Sequence, residues 1–450
     1  MTGANATHPD LTADRRAEWL LMRDTASGAR AVKARGETYL PKPGGFKAMG
    51  DGGKAMFDAY LFRAIVPEIV GPSIGAMIGI IHGKEAQIAL PDAMSGLWED
   101  ADGDGMPLEA FHRKITRNLL WLGRYGVLVT APEAGGEPYL VGYAGDSIIN
   151  WDRDFFVLDE TGYQRRGFGW DLVCRYRVLS IRDGAYVSEV YEGEAGAVAL
   201  VSEAGAESRG GARLDFVPFV VGNAREVAAT LEPPPLIGVA NATIAAYQLS
   251  ADWRHQLFMS GQETMVAING PAPSVVGAGV VHAMNELGVS TQTPDLKYVS
   301  PTCSGIEAHE RAIAQQRQEA VAAGARMFDQ AQTTQESGEA RRLRFASETA
   351  NLMSVAQVSA AILERSLRNA AVMMGAAADE VVVKPPADLL DSTMTADEFQ
   401  KLFSVYQANG MSWETFYERG QAGGIFSPER TAEEEQDLID GMLGQDPNGP

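Results

Sequence analysis

IEAHERAIAQQRQEAVAAGARMF (306–328), DQAQTTQESG (329–338) and EARRLRFASETANLMSVAQVSAAILERSLRNAAVMM (339–374) decide how this chain folds. In the first run Ile306, Ile313, Val321 and Phe328 recur close to a heptad beat, with no proline and one glycine, which predicts an amphipathic helix. The second is rich in small and amide side chains, which compete for local backbone hydrogen bonds and cannot supply a core, so it reads as a loop. In the third, Ala346, Ala350, Met353, Ala356, Ala360, Leu363, Leu367, Ala370 and Met374 follow in steps of three and four, with no breaker before Gly375. At ~1.5 Å per residue this is a helix of roughly 55 Å. Helices of globular domains usually run about three or four turns, so this length suggests a spine in a large assembly rather than the wall of a small pocket.

Around that spine lie 450 residues, 45% of them hydrophobic, enough for about three domain-sized units with real cores. Asp and Glu number 59 against 38 Lys and Arg, a formal charge of −21 that repels nucleic-acid phosphates wherever no local basic patch intervenes. A high-affinity nucleic-acid binder is therefore not expected. The two cysteines, Cys174 and Cys303, match no metal-ligand spacing and point to a reducing compartment rather than a disulfide. No basic segment followed by an apolar run opens the chain. The apolar stretch 64–81 holds two prolines, three glycines, Glu68 and Ser73, so neither a signal peptide nor a membrane span is expected.

The chain divides by its periodicities. Residues 11–35 read as one helix, residues 54–90 as helical pieces interrupted by Pro67 and Pro72. Asp100, Asp102, Asp104 and Gly105 match the opening of a calcium loop, but Phe111 stands where the bidentate Glu belongs, so we read an acidic turn ahead of a helix starting near Leu108. That helix carries Phe111, Ile115, Leu119, Leu120 and Leu122 and runs through Gly126 into a buried strand, VLVT. From Tyr139 to Gly222 strand-like runs alternate with Gly, Asp and Asn clusters, predicting a mostly antiparallel β region with 205–212 as a hairpin tip. The three prolines of EPPPLIG (232–238) close it and preset a helix over 236–259, with Ile237, Ala240, Ile244, Tyr247, Ala251 and Phe258 on one side. Short strands and turns fill 261–303. After VVVKPP an acidic helical region follows, with capping patterns at Thr395 and Ser412. The fold class is thus α+β.

No catalytic constellation emerges. Gly71-Pro72-Ser73-Ile74-Gly75 has the form of a nucleophile elbow, but no buried strand leads into it. Cys303 with His309 or His282 could form a thiol–imidazole pair, although a cysteine at a strand–helix junction is more often an apolar filler. The six histidines lack ligand spacing, and no phosphate-binding loop or dinucleotide fingerprint is present. We expect no enzyme, no cofactor and no metal.

Several runs, taken in order, resemble the portal proteins of tailed bacteriophages, and more narrowly a subgroup formerly filed as a domain of unknown function. They are TYLPKP (38–43), DGDGMPLEAF (102–111), GRYGVLV (123–129), SIINWD (147–152), VPFVVGN (217–223) and, near the C-terminus, GMSWETFYERGQAGGIFSPERTAEEEQ. The resemblance spans nearly the whole chain. It implies a wing over 1–235, stem helices over 236–260 and 304–328, a clip over 261–303, a tunnel loop over 329–338, a wing spine helix over 339–385 and a crown over 386–450. Such proteins form rings, usually of twelve subunits, at one capsid vertex of the virion. The resemblance implies assembly in the bacterial cytoplasm with major capsid and scaffolding proteins. It further implies docking of the terminase large subunit and later of a head–tail adaptor, with double-stranded DNA passing through the ring.

On that resemblance Gln330, Gln332, Thr333, Thr334 and Gln335 present short neutral groups to passing DNA; they touch phosphate and let go, because neutral contacts release no counterions. Arg341, Arg342 and Arg344 either contact DNA or satisfy acidic groups of an adjacent subunit. The stem shows no basic belt beyond Arg254, Arg311, Arg317 and Arg326. Two rivals remain: a non-channel particle scaffold whose long helices pair as a coiled coil, disfavoured by a stripe of mostly Ala and Met, and a hydrolase using Ser73 or Cys303.

Overall fold

The computed structural model describes residues 3–84, 86–131, 136–194, 197–205, 209, 211–261, 264–270, 293–299, 305–320, 338–386, 396–408, 410–422, 425–426 and 430–443. The N-terminal helices are α1 (Ala13–Ser27), α2 (Ala29–Ala34), α3 (Gly44–Lys47), α4 (Asp51–Arg63) and α5 (Val70–Ile81). The single helix expected over 11–35 is two, because Gly28 sits at φ +90° between them, a backbone that L side chains rarely adopt. Strand β1 (Gln87–Ala89) replaces the end of the stretch read as helical pieces, because it pairs with residues 382–384. Helix α6 (Leu108–Leu122) follows, then β2 (Arg124–Thr130), β3 (Tyr139–Ala144), β4 (Ile148–Trp151), β5 (Phe155–Asp159), β6 (Gly162–Arg166), β7 (Gly169–Arg182), β8 (Ala185–Glu194), β9 (Ala197–Gly205) and β10 (Phe219–Asn223). The chain continues through α7 (Ile237–Ser260), β11 (Thr264–Ile268), β12 (Asp295–Val299), α8 (Ile306–Ala320), α9 (Gly338–Met374) and β13 (Val382–Lys384). Helices α10 (Ala396–Gln407), α11 (Trp413–Ala422) and α12 (Ala432–Leu443) close it.

Every strand pair among the described residues is antiparallel. One sheet has the order β10-β2-β3; a larger one runs β4-β5-β7-β8-β9, with β6 paired to the outer part of β7. Two small ladders join β1 to β13 and β11 to β12. Because β9 pairs with β8 while β10 pairs with β2, the segment between them links two sheets. The hairpin expected over 205–212 is therefore replaced by a crossing, of which residues 206–208 and 210 lie outside the described residues.

The core forms where α6 and the C-terminal half of α9 meet the smaller sheet. Phe111, Ile115, Leu119 and Leu122 of α6, one helical face by spacing, are buried, as are Leu363, Leu367 and Ala370 of α9. Each large apolar side chain so buried contributes about 1.5–3 kcal/mol. Polar bonds fix the register: Trp19 Nε1 donates to the Leu122 carbonyl at 2.9 Å and Trp121 Nε1 to the Met22 carbonyl at 3.0 Å, locking α1 to α6. Thr116 and Ser359 share a hydroxyl bond of 2.7 Å between α6 and α9. Asp100 Oδ1 accepts from the amides of Gly103 and Gly105, and Asp102 Oδ1 from those of Asp104 and Met106, so the acidic run is a turn held by its own carboxylates.

The chain separates into two compact units: residues 1–82 with 86–385, and residues 83–85 with 386–450. Within the second, Phe399, Trp413, Phe416, Tyr417 and Phe426 form an aromatic cluster, Tyr417 and Phe426 stacked with centroids 4.8 Å apart. Ser412 Oγ accepts from Thr415 N at 3.2 Å, which caps α11 as its sequence suggests. The cap expected at Thr395 lies outside the described residues.

Candidate functional site

Helix α7 is rooted in the body and then leaves it. Val239, Ala240, Ala246, Tyr247 and Ala251 are buried. Tyr60 donates its hydroxyl to Asp252, the Ile65 amide bonds Ser250 Oγ at 3.1 Å, and Gln248 Nε2 donates to the Tyr39 carbonyl at 2.9 Å. Burial, reinforced by the Asp252 bond, pushes the Tyr60 phenol well above its usual range. His255 stands edge-on to Phe46 and Tyr60, and burial lowers its pKa, assisted by Arg63. Beyond this anchor Leu257, Phe258 and Met259 are exposed. Phe258 lies beneath the Arg63 guanidinium, 3.7 Å from carbon to centroid.

Helix α8 packs along α7 and returns beside it. Ile306, His309, Ala312, Ile313 and Gln316 are half-buried at spacings of three and four, while Glu307, Glu310, Arg311, Arg317 and Glu319 are exposed. Both chain directions meet at Gly305, where an added Cβ would stand 3.1 Å from Gln256 Nε2. His309 Nδ1 is satisfied by the Gly305 carbonyl at 3.0 Å. The exposed face of α8 mixes three carboxylates with two guanidinium groups, so no basic belt forms among its described residues.

Between these helices β11 and β12 pair from Thr264 opposite Val299 to Ile268 opposite Asp295. Val266, Tyr298 and Val299 are exposed on this ladder. A two-stranded ladder is marginal alone in water, and these three exposed apolar side chains are surface that a partner could cover.

The other sequence-derived candidates distribute unevenly. Gln330, Gln332, Thr333, Thr334 and Gln335 lie outside the described residues, as do Arg326, His282 and Cys303. Arg341, Arg342 and Arg344 fall within the first two turns of α9. Ser73 corrects the hydrolase reading: it lies inside α5, is 2% exposed, and its Oγ donates to the Ile69 carbonyl at 2.8 Å. A nucleophile elbow needs a strand before the serine and an open oxygen, and Ser73 has neither. Among the described residues no group of three or more His, Cys, Asp or Glu could hold a metal ion, and no helix is long and apolar enough to cross a membrane.

Sequence reasoning missed a second charged locus. A cavity of about 1030 Å³ opens between the two larger sheets, and at its edge Glu160 accepts from Tyr143 at 2.6 Å, Arg175 Nε at 2.8 Å and Arg177 Nε at 2.6 Å. Burial alone would raise the Glu160 carboxyl, but the Arg177 and Tyr143 hydrogen bonds and the charge of Arg175 outweigh it and hold the carboxyl below its ordinary value. The only hint in sequence is an alternation of arginine and apolar residues in RYRVLSIR (175–182), which reads as an ordinary strand.

Residues 235–374, running from the start of α7 through α9, match a family described as a domain of unknown function, DUF4055. No curated protein matches the chain. Among solved structures it is similar to a chain in the neck of a native gene transfer agent particle computed with C12 symmetry, at 14% identity and a TM-score of 0.41, covering 78% of this chain and 88% of that one. A chain from the virion of a native gene transfer agent particle is 16% identical with a TM-score of 0.43, covering 79% and 89%. One from the neck of an empty particle computed with C6 symmetry is 14% identical with a TM-score of 0.44, covering 80% and 91%.

Proposed function

We propose that this chain is a portal protein, the subunit of a ring that occupies one vertex of a phage-type capsid and passes double-stranded DNA during packaging and ejection. The observation that carries the reading is one continuous motif: α7 leaves a buried root, gives way to the β11–β12 ladder, returns as α8, and leads to α9, whose far half is buried in the body. That order is what the resemblance implies for stem, clip, stem, tunnel loop and spine. The matched family covers the same stretch. A half-exposed α8 and an uncovered apolar ladder suit surfaces completed by neighbouring copies and by docked proteins.

In this reading residues 1–235 with 339–385 form the wing, 236–260 and 304–328 the stem, 261–303 the clip, 329–338 the tunnel loop and 386–450 the crown. The clip receives the terminase large subunit and later the head–tail adaptor, and the wing meets major capsid and scaffolding proteins. The net charge of −21 and the mixed α8 face keep DNA from adhering, since each basic contact added to phosphate deepens a salt-dependent trap. The neutral loop residues guide DNA without holding it. Arg341, Arg342 and Arg344, at the start of α9, serve DNA contact or a neighbouring subunit's carboxylates.

The scaffold rival is weakened by α9 itself. Val355, Ala356, Val358, Ser359, Ala360, Ile362 and Leu363 are all buried, on more than one helical face, leaving no free seam there for a coiled-coil partner. The test of the channel is nuclease-protected DNA in particles made with and without this chain. We expect none without it, and a reduced amount in intact particles when Gln330, Gln332, Thr333, Thr334 and Gln335 are all alanine. Particles filled normally in the absence of the chain would contradict the proposal.

A further inference from the structure

Strand β6 and the first residues of β7 form a hairpin at the edge of the large sheet. β6 is hydrogen-bonded to β7 alone, with Tyr163 opposite Leu172 and Arg165 opposite Trp170. Opposed residues share a face, so these four side chains form one apolar strip with a single guanidinium. Their exposure is extreme for such residues: Tyr163 is 70% exposed, Trp170 65%, Leu172 61%, and Phe168 at the tip 100%. An isolated two-stranded hairpin is marginal in water, and Tyr, Trp and Arg are the side chains that dominate protein contacts. The arm has the composition of an anchor.

The same chain carries a receptor of matching kind. The cavity between the sheets measures about 1030 Å³, the size that ordinarily takes a bulky ligand (~300–1,000 Å³). Tyr139 and Val141, half-buried, and Val201, exposed, supply its accessible apolar surface. Its charged lining sets the carboxylates of Glu160, Glu192 and Glu203 against Arg175 and Arg177, an excess of one negative charge. The arm carries Arg165 and Arg166 against Asp171, an excess of one positive charge. Arg175 and Arg177 line the cavity, whereas Trp170 and Leu172, of opposite parity on β7, belong to the other face of the pleat. Knob and hole therefore lie on opposite faces by strand parity, two different patches of the kind that a head-to-tail contact between identical chains joins.

We propose that the β6–β7 arm of one copy seats Phe168 and Trp170 in the inter-sheet cavity of the next copy, with Arg165 meeting its negative rim. The contact deepens the ring reading given above and, as a ring-closing contact, rests on it. It makes the arm the link between neighbouring subunits outside the α7–α8 region.

The test uses the full chain with Phe168→p-benzoylphenylalanine, which keeps an aromatic tip. Equal parts of unlabelled and nitrogen-15 protein are mixed, irradiated and digested, and particles from the same sample are imaged. Cross-links joining position 168 of one isotopic form to peptides holding Val141 or Val201 of the other are expected. Trp170→Ser in the same background should reduce their yield by about tenfold. Rings whose cross-links fall elsewhere, or only within one isotopic form, would overturn the arm contact and leave the ring intact. Mixed cross-links at the cavity without rings would retain the contact and remove the ring. If neither rings nor mixed cross-links form, both fall.

Discussion

His82 and His112 meet edge to face with ring centroids 4.8 Å apart, where α5 packs on α6. His82 Nε2 bonds Thr116 Oγ1 at 2.8 Å, extending the hydroxyl bond to Ser359 into a chain from α5 to α9. Burial lowers both rings, helped at His82 by Arg113 and at His112 by His82 and Arg113, to about 4 for His82 and about 3 for His112. Both are neutral in the folded chain at pH 7. As pH falls below ~6.5 the unfolded chain binds protons that the folded chain refuses, so stability declines from there until the folded rings titrate near 4 and 3. Replacing His112 with leucine should therefore flatten the pH dependence, recovering about 2 kcal/mol at pH 5 relative to pH 7. Urea midpoints of both proteins at the two pH values measure it; equal slopes would contradict the assignment. None of this was legible in sequence, where His82 and His112 are thirty positions apart and carry no spacing signal. Ser73 is the converse, a motif legible in sequence whose hydroxyl is spent inside its own helix.

At the scale of elements, periodicity was a good guide wherever burial is one-sided and local. The α6 stripe and the turn into β2 follow from Leu, Ile and Phe spacing and from Gly123, which adopts φ +73° and donates its amide to the Leu119 carbonyl. A Cβ there would also stand 3.0 Å from Pro234 Cα. Gly123→Ala should accordingly destabilise the chain by about 1–2 kcal/mol or more, combining left-handed strain with a backbone clash. Thermal unfolding reads this, and an unchanged midpoint would sink the account of the α6–β2 turn. Elements that depend on distant partners were not legible. Strand β1 looks like the end of a helical stretch and becomes a strand only because Val382–Lys384 pairs with it from the far end of the unit. Strand β6, GYQRR, lacks the alternating apolar residues that announce a half-buried strand, because it is not buried. The cap of α12 passed unnoticed in TAEE, although Thr431 N donates to Glu434 Oε2 at 2.9 Å and Glu434 N to Thr431 Oγ1 at 3.2 Å.

For the whole molecule, the order of segments carried more than any motif. Sequence placed a long helix after a helix–β–helix excursion, and the structure has α9 of 37 residues following α7, β11, β12 and α8. It could not reveal the knob and the cavity, since one is a strand without a core and the other a space between two sheets whose strands are far apart in the chain. Both, with the exposed ladder residues and the half-buried face of α8, are surfaces that the proposed ring would complete. Obligate interfaces are built of such surfaces, and identical subunits joined head to tail close into rings when the rotation allows. The proposed ring has an open centre. Light scattering of the purified full-length protein, with electron-microscopic class averages from the same fraction, tests it directly. Annular particles around a hole, of about twelve chains as the portal resemblance implies, are expected; a compact dimer with a filled centre would contradict the ring.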